Sequence, residues 1–360
     1  MKIGMIFPGQ GSQSLGMGKD IYDRERIVQE YFEQASSCLD QNFVRLCFAS
    51  SERELKETVN AQTSIFLVSA AFFALLKDKY GIVPDIVAGH SSGEYAAIFA
   101  AGGMTFPDAL YLLKKRSLFM EEATQAFPGT MIAVLGLNFD ALDAICKKYD
   151  DPTGITRVAE IVNYNAPEQL VVSGTVAVLE EVAKEVRAAG GKVLQLNVAG
   201  AFHSRLMQEA EKQFALYMVK VDFKDLQVPL VNNIHAQPVI TNEQIKDSLV
   251  RQMSSHVLWW PAMQQFNSCD VIIEVGPGNK LAKILKRAWP DKHIFTLNTP
   301  AELEQLLTFL GKEVEHTELA MDLEIAKEEK IIEEQQTKEE SALLEKIQNS
   351  SAQSTEQQQV

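Results

Sequence analysis

The sequence predicts an α/β fold with a mainly parallel sheet, a smaller ferredoxin-like unit inserted into it, and an acidic, partly disordered C-terminal tail. Three observations carry this. Short apolar runs alternate with segments of helical periodicity, the pattern of strands joined by crossover helices. Between residues 130 and 198 the order becomes βαββαβ, the ferredoxin-like arrangement. Beyond residue 311, Glu, Lys and Gln displace the apolar residues, and such a segment has little to bury.

Residues 2–7 read as a strand. The run is too short for a signal-peptide core, carries one lysine ahead of it and stops at Pro8-Gly9, so a buried strand of a cytoplasmic protein is expected. Residues 62–79 form a strongly apolar helix stopped by Gly81 and Pro84. No apolar run reaches the roughly 18 residues of a membrane span, so no membrane partner is expected. A strand at 86–88 runs into Gly89-His90-Ser91-Ser92-Gly93, followed by a helix at 94–101 closed by Gly102-Gly103. A further helix spans about 107–125. In the inserted unit, strands are expected at 131–135, 158–162, 169–173 and 192–198, with helices at 139–148 and 176–189. An α/β pattern resumes over 200–310, with strands near 228–233 and 271–275. The domain limits are therefore 1–128 and 200–311 for the larger domain, 129–199 for the insertion and 312–360 for the tail. The tail should be helical in part up to residue 346, without a sustained heptad, and disordered over 348–360.

Charge is unevenly spread. The formal net charge is −14, of which 312–360 carries 13 acids and 5 lysines, net −8, leaving −6 for the body. Nothing in that balance suggests nucleic-acid binding. Cys38, Cys47, Cys146 and Cys269 lack CxxC spacing, and the six histidines form no HxH or HExxH group. Free thiols in a reducing compartment and no metal centre are expected.

The chemistry concentrates at Gly89-His90-Ser91-Ser92-Gly93, a G-x-S-x-G match between a strand and a helix. This is what gives the larger domain its hydrolase-like character. Such a turn strains the serine backbone and lifts its hydroxyl to the mouth of the sheet, where the next helix aims its N-terminal dipole. The glycine frame puts Ser91 at the apex, and leaves Ser92 to offer its backbone N–H to an oxyanion. Phe7-Pro8-Gly9-Gln10-Gly11-Ser12-Gln13 follows the first strand; Ser14 breaks the dinucleotide-binding pattern, and Gln10 is the candidate second oxyanion donor. A serine needs a base, and His203 in the loop Gly200-Ala201-Phe202-His203-Ser204 is the best placed, although no acid stands out as a third member. Arg116, after Lys114-Lys115 on an amphipathic helix, could clamp a carboxylate with two parallel hydrogen bonds, but most such arginines are solvated.

Together these motifs resemble the malonyl-CoA:acyl-carrier-protein transacylases of bacterial fatty-acid synthesis and the acyltransferase domains of polyketide synthases. Further motifs carrying the resemblance are Gly93-Glu94-Tyr95, Arg116 to Met120, Asn163-Tyr164-Asn165-Ala166-Pro167, Val231-Asn232-Asn233, Arg251-Gln252 and Glu274-Val275-Gly276-Pro277-Gly278. They stand in the family's order over about residues 1–310. The resemblance implies malonyl transfer from coenzyme A to an acyl carrier protein through a malonyl-serine, with the thioester as substrate, no cofactor, and a monomeric enzyme. It implies Ser91 as nucleophile, His203 as base, the Gln252 backbone carbonyl in place of the missing acid, and Gln10 and Ser92 as oxyanion donors. Arg116 would pair with the malonyl carboxylate, Phe202 would limit room at the α-carbon, and Met120 would line the same pocket. Two departures are Ser92, where an apolar residue is common, and His256, where a proline is common; the second bears on the loop geometry near Gln252.

Two readings compete with it. A serine hydrolase shares the elbow but usually adds an Asp or Glu to the triad and needs no carboxylate-binding arginine. A non-catalytic scaffold would make the tail the active part. For the acidic carrier protein that the resemblance implies, Lys280, Lys283, Lys286 and Arg287 recur on one helix face and suit docking; an ordinary solvated face is the competing reading.

Overall fold

The structure is a computed structural model and describes residues 1–313. All but the first two residues of the predicted acidic tail lie outside that range. Ten strands are present among the described residues: β1 (Ile3–Phe7), β2 (Ile86–Gly89), β3 (Thr130–Leu135), β4 (Ala159–Ala166), β5 (Gln169–Gly174), β6 (Lys192–Gln195), β7 (Leu230–Val231), β8 (Pro238–Val239), β9 (Val271–Val275) and β10 (His293–Leu297). They form two sheets, in the orders β10-β9-β1-β2-β7-β8 and β4-β5-β3-β6.

The larger sheet is parallel apart from the β7–β8 pair. Its central strands β1, β2 and β9 are apolar nearly without alternation and are buried along almost their whole length, as strands covered on both faces must be. The smaller sheet is antiparallel throughout. Helices Phe139–Tyr149 and Val176–Ala188 cross it, and Leu142, Ile145, Val178 and Val182 pack with Ile132, Leu170 and Val172 in its own core. Strand order and helix placement are those of a βαββαβ unit.

The helix Thr58–Ala74 is buried over most of its circumference, because it is apolar on every face and can be accommodated only inside. With the π-helical turn that follows, the 22-residue segment Thr58–Lys79 is long and apolar enough to cross a membrane, its most apolar window reaching a mean hydropathy of 1.7. Counting uninterrupted apolar runs overlooked it, since Gln62, Ser64 and Ser69 break the run. Of its most apolar window, 89% is buried inside the fold, so the helix serves as core.

Three strands differ from the sequence expectation. β4 runs on to Ala166 through two register irregularities against β5, which takes Asn163 and Asn165 to the rim of a cavity. β6 stops at Gln195, where its pairing with β3 ends. The strand expected at 228–233 shrinks to Leu230–Val231. There Asn233 uses its side chain rather than its backbone to hold the chain beside β2. β10, on the sheet edge, was not anticipated.

Candidate active site

Ser91 stands between β2 and the helix Gly93–Ala100, with φ at 53°. A non-glycine residue in the left-handed region costs on the order of 1 kcal/mol, and persists only where its surroundings hold it. Here the flanking glycines allow the tight crossing: a Cβ on Gly89 would lie 2.0 Å from the Gly93 carbonyl carbon, and one on Gly93 2.3 Å from the Phe7 oxygen. The Asn233 amide then grips the turn from both sides. Its Oδ1 accepts from the Ser91 N–H at 2.7 Å, and its Nδ2 donates to the Gly89 carbonyl at 2.6 Å.

His203, 4% exposed, reaches this turn from a second left-handed residue, with φ at 64°. Its Nε2 lies 2.7 Å from Ser91 Oγ, and its Nδ1–H donates to the Gln252 backbone carbonyl at 2.9 Å. That second bond leaves Nε2 with its lone pair toward the serine. Burial, followed by the positive charge of Arg116, pushes the imidazole down to about 3, so it is neutral and able to take a proton at physiological pH. The carbonyl does the orienting that an acid does in a triad. His256 does not disturb this: its neighbour Val257 donates its N–H to the Val162 carbonyl at 2.7 Å and keeps the loop in register.

Arg116, whose type suggested a solvated residue, is fully buried instead. Its helix, Phe106–Ala126, packs against Thr58–Ala74, and Arg116 lies on the packed face. Its Nη1 donates to Gln62 Oε1 at 2.6 Å; its Nη2 donates to Gln252 Oε1 at 3.0 Å and to Ser91 Oγ at 3.2 Å. Every one of these acceptors is neutral. No carboxylate forms an ion pair with Arg116 among the described residues, and its Nε is buried with no partner. Burial lowers its pKa, against the opposing pull of Tyr95 and Glu94, but a guanidinium keeps its charge under any physiological condition.

A cavity of about 390 Å³ opens over Ser91 and His203, between the two sheets. Gln10, Met120 and Phe202 line it, and Met120 and Phe202 are buried. Ser92 lies beneath, 3% exposed, at the start of the Gly93–Ala100 helix. Neither the Gln10 nor the Ser92 N–H has an acceptor among the described residues, leaving two free donors near Ser91. Lys280, Lys283 and Arg287, from the helix Lys280–Ala288, also line the cavity, and the Lys280 ammonium donates to the Gly11 carbonyl. Lys286, on the same helix, is exposed and is not among the lining residues.

The structure thus gathers Ser91, His203, Arg116, Gln252, Gln10, Ser92, Met120 and Phe202 at one place. It adds three residues to which sequence reasoning gave no role. Gln62 links Arg116 to Gln10, donating from Nε2 to Gln10 Oε1 at 3.1 Å. Asn165 pairs with the partly buried His90 at 2.9 Å, and Asn233 holds the elbow. The one available signal for Gln62 was an amide within a largely apolar helix, since an amide that becomes buried needs partners.

The acyl transferase domain family matches residues 5–329, past residue 310 where the recognisable motifs end. A malonyl CoA-acyl carrier protein transacylase of Bacillus subtilis is 34% identical over 315 residues, 87% of this chain and 98% of the relative. The crystal structure of an acyl-carrier-protein S-malonyltransferase from Burkholderia pseudomallei superposes with a TM-score of 0.81 at 37% identity, covering 86% of this chain and 100% of that one. A malonyl-transacylase solved in complex with its type II PKS acyl-carrier protein gives a TM-score of 0.82 at 31% identity, covering 86% and 100%. The chain therefore belongs to the acyl transferase family, in its malonyl-CoA–acyl carrier protein transacylase branch.

Proposed function

We propose that this protein transfers the malonyl group of malonyl-CoA to the phosphopantetheine thiol of an acyl carrier protein, through a malonyl ester on Ser91. The observation that carries this reading is Arg116, a buried cation without a carboxylate partner, 3.2 Å from the nucleophilic oxygen. Desolvated charge of this kind favours a ligand of opposite charge, and malonyl brings a free carboxylate where acetyl brings none.

In the first half-reaction His203 Nε2 takes the Ser91 proton while Oγ attacks the thioester carbonyl. The tetrahedral oxyanion receives hydrogen bonds from the Gln10 and Ser92 N–H groups; loss of one such donor typically costs ~3 kcal/mol of transition-state stabilisation. As the C–S bond breaks, His203 returns the proton to the departing thiolate. The second half runs the same steps with the carrier-protein thiol as nucleophile, in ping-pong order. Phe202 limits room at the acyl α-carbon, and Met120 closes the pocket beside it. Coenzyme A enters as part of the substrate, and the chemistry needs no further cofactor.

The relative solved with its carrier protein supports the same partner here, and Lys280, Lys283 and Arg287 supply a basic face on the cavity side for an acidic one, with Lys286 exposed on the same helix. We place the enzyme in the cytoplasm as a monomer supplying fatty-acid elongation. Incubation with malonyl-CoA followed by holo carrier protein tests the reading. Malonyl should move to the carrier thiol, and Ser91→Ala should lose both the adduct and the transfer. Hydrolysis without transfer to the thiol would reject it in favour of a hydrolase.

A further inference from the structure

Glu94 lies on the first turn of the helix after the nucleophile, fully buried. Its Oε2 accepts from Gln252 Nε2 and its Oε1 from Ser248 Oγ at 3.2 Å, with the Asn233 backbone N–H adding a further bond. Gln252 in turn connects Glu94 to the nucleophile, the base and Arg116. Its Nε2 also donates to the Ser91 carbonyl at 3.1 Å, its Oε1 accepts from Arg116 at 3.0 Å, and its backbone carbonyl holds His203.

The direction of the Gln252 amide matters. A primary amide can face either way, and only one way presents an acceptor to Arg116. An ionised carboxylate accepts and cannot donate, so Glu94 obliges the NH2 group to face it and turns Oε1 toward the guanidinium. The same carboxylate places a negative charge one amide away from Arg116. A carboxylate in direct contact would occupy the hydrogen bonds a substrate carboxylate requires. With an amide between them, the charge is offset and the guanidinium face stays open.

We infer that Glu94 is a positioning residue for acyl selection, acting through Gln252 to hold Arg116 oriented and free for a substrate carboxylate. The inference rests on the malonyl-transfer reading above. Burial lifts the Glu94 carboxyl to about 7, with the Gln252 and Ser248 bonds working against that rise. The titratable groups coupled to it are Tyr95 on its own helix and Arg116 on the Phe106–Ala126 helix. Ser248, Gln252 and Asn233, from the other elements packed on it, do not titrate, and His203 beyond Gln252 is held neutral. A protonated Glu94 could donate and would release the Gln252 amide.

The test is competitive loading of Ser91 from an equal mixture of malonyl-CoA and acetyl-CoA, read by intact mass, in Glu94→Gln. A carboxamide there can donate as well as accept, and carries no charge. The malonyl-to-acetyl ratio should fall about tenfold, the low end for one misplaced charge-assisted hydrogen bond. The KM for malonyl-CoA should rise more than kcat falls. In an Arg116→Ala background the same substitution should leave the ratio where Arg116→Ala alone puts it. The wild-type ratio should climb as pH rises through about 7, and the Glu94→Gln ratio should stay flat. An unchanged or raised ratio in folded Glu94→Gln, with only its melting temperature lowered, would overturn the inference. Should that variant not fold, Glu94→Asp keeps the charge but withdraws it from Gln252, and must lower the ratio by a smaller factor; no drop overturns the inference equally. Failure of the wild type to load malonyl at all would instead sink the functional reading.

Discussion

Arg116 and Arg205 are both shielded cations near His203, and their surroundings could hardly differ more. Arg205 follows the histidine by two residues and is saturated by protein groups. It donates to Asp150 Oδ1 at 2.8 Å and to Glu160, and also to the carbonyls of Gly154, Asp151 and Arg157. Its backbone N–H adds a bond to Glu160 Oε2 at 2.9 Å, so the turn carrying His203 is tied to the smaller sheet. Although burial works against its charge, Asp150 and Glu160 outweigh it and raise its pKa. Arg116 has only neutral amides and one serine hydroxyl, and its pKa falls. A cation with its carboxylates supplied by the fold holds structure together. One left without them is open to completion by a ligand, which is the role proposed for Arg116.

The sharpest way to break this contrast is to remove each arginine in turn. Arg116→Ala should lower kcat/KM for malonyl-CoA on the order of a hundredfold, as expected for a lost charge-assisted pair in a desolvated site, and leave acetyl loading little changed. Arg205→Ala should do the reverse. Its side chain is 13% exposed, so solvent takes part of the load, and a loss of about 2 kcal/mol in unfolding free energy is expected from chemical denaturation. The malonyl-to-acetyl ratio should not move in that variant. A selective loss of malonyl loading in Arg205→Ala would erase the distinction.

A smaller effect comes from pH. The buried His203 has its pKa depressed from 6.5 to about 3, so the unfolded chain binds a proton that the folded one refuses. Its contribution to stability is therefore full above about 6.5 and is lost as pH falls toward 3. Unfolding curves near pH 7 and about pH 5 should differ less in His203→Gln than in the wild type, and an equal difference would contradict the assigned burial cost. The smallest expected effects lie at the rim. Charge reversal of Lys283 and Arg287 should raise the KM for carrier protein more than that for malonyl-CoA, because a broad acidic surface meets more of this face than coenzyme A does. Ser92→Ala should load malonyl normally, since only the backbone of that residue is used.

What could be read from the chain follows the range of the interactions involved. Ser91 was legible because two glycines, a strand and a helix are local signals within a dozen residues. The parallel core and the βαββαβ insertion were legible from periodicity for the same reason. Arg116 could be named as a candidate, but its burial could not be read, since the lysines before it resemble a solvated face and only packing against Thr58–Ala74 turns it inward. Gln62 and Asn233 escaped because their partners lie 54 and 142 residues away, and the only local hint, for Gln62, is an amide within a largely apolar helix. Gln252 could be placed only by family resemblance. The edge strand β10 and the truncated β7 depend on pairing geometry that composition does not record.

The central claim is that an unpaired buried guanidinium selects the acyl group. It is tested most directly by offering malonyl-CoA and acetyl-CoA together and weighing the intact wild-type and Arg116→Ala proteins. The account predicts a malonyl adduct almost alone on the wild type, and a mixed or mainly acetyl adduct on Arg116→Ala. The same malonyl preference in both proteins would contradict it.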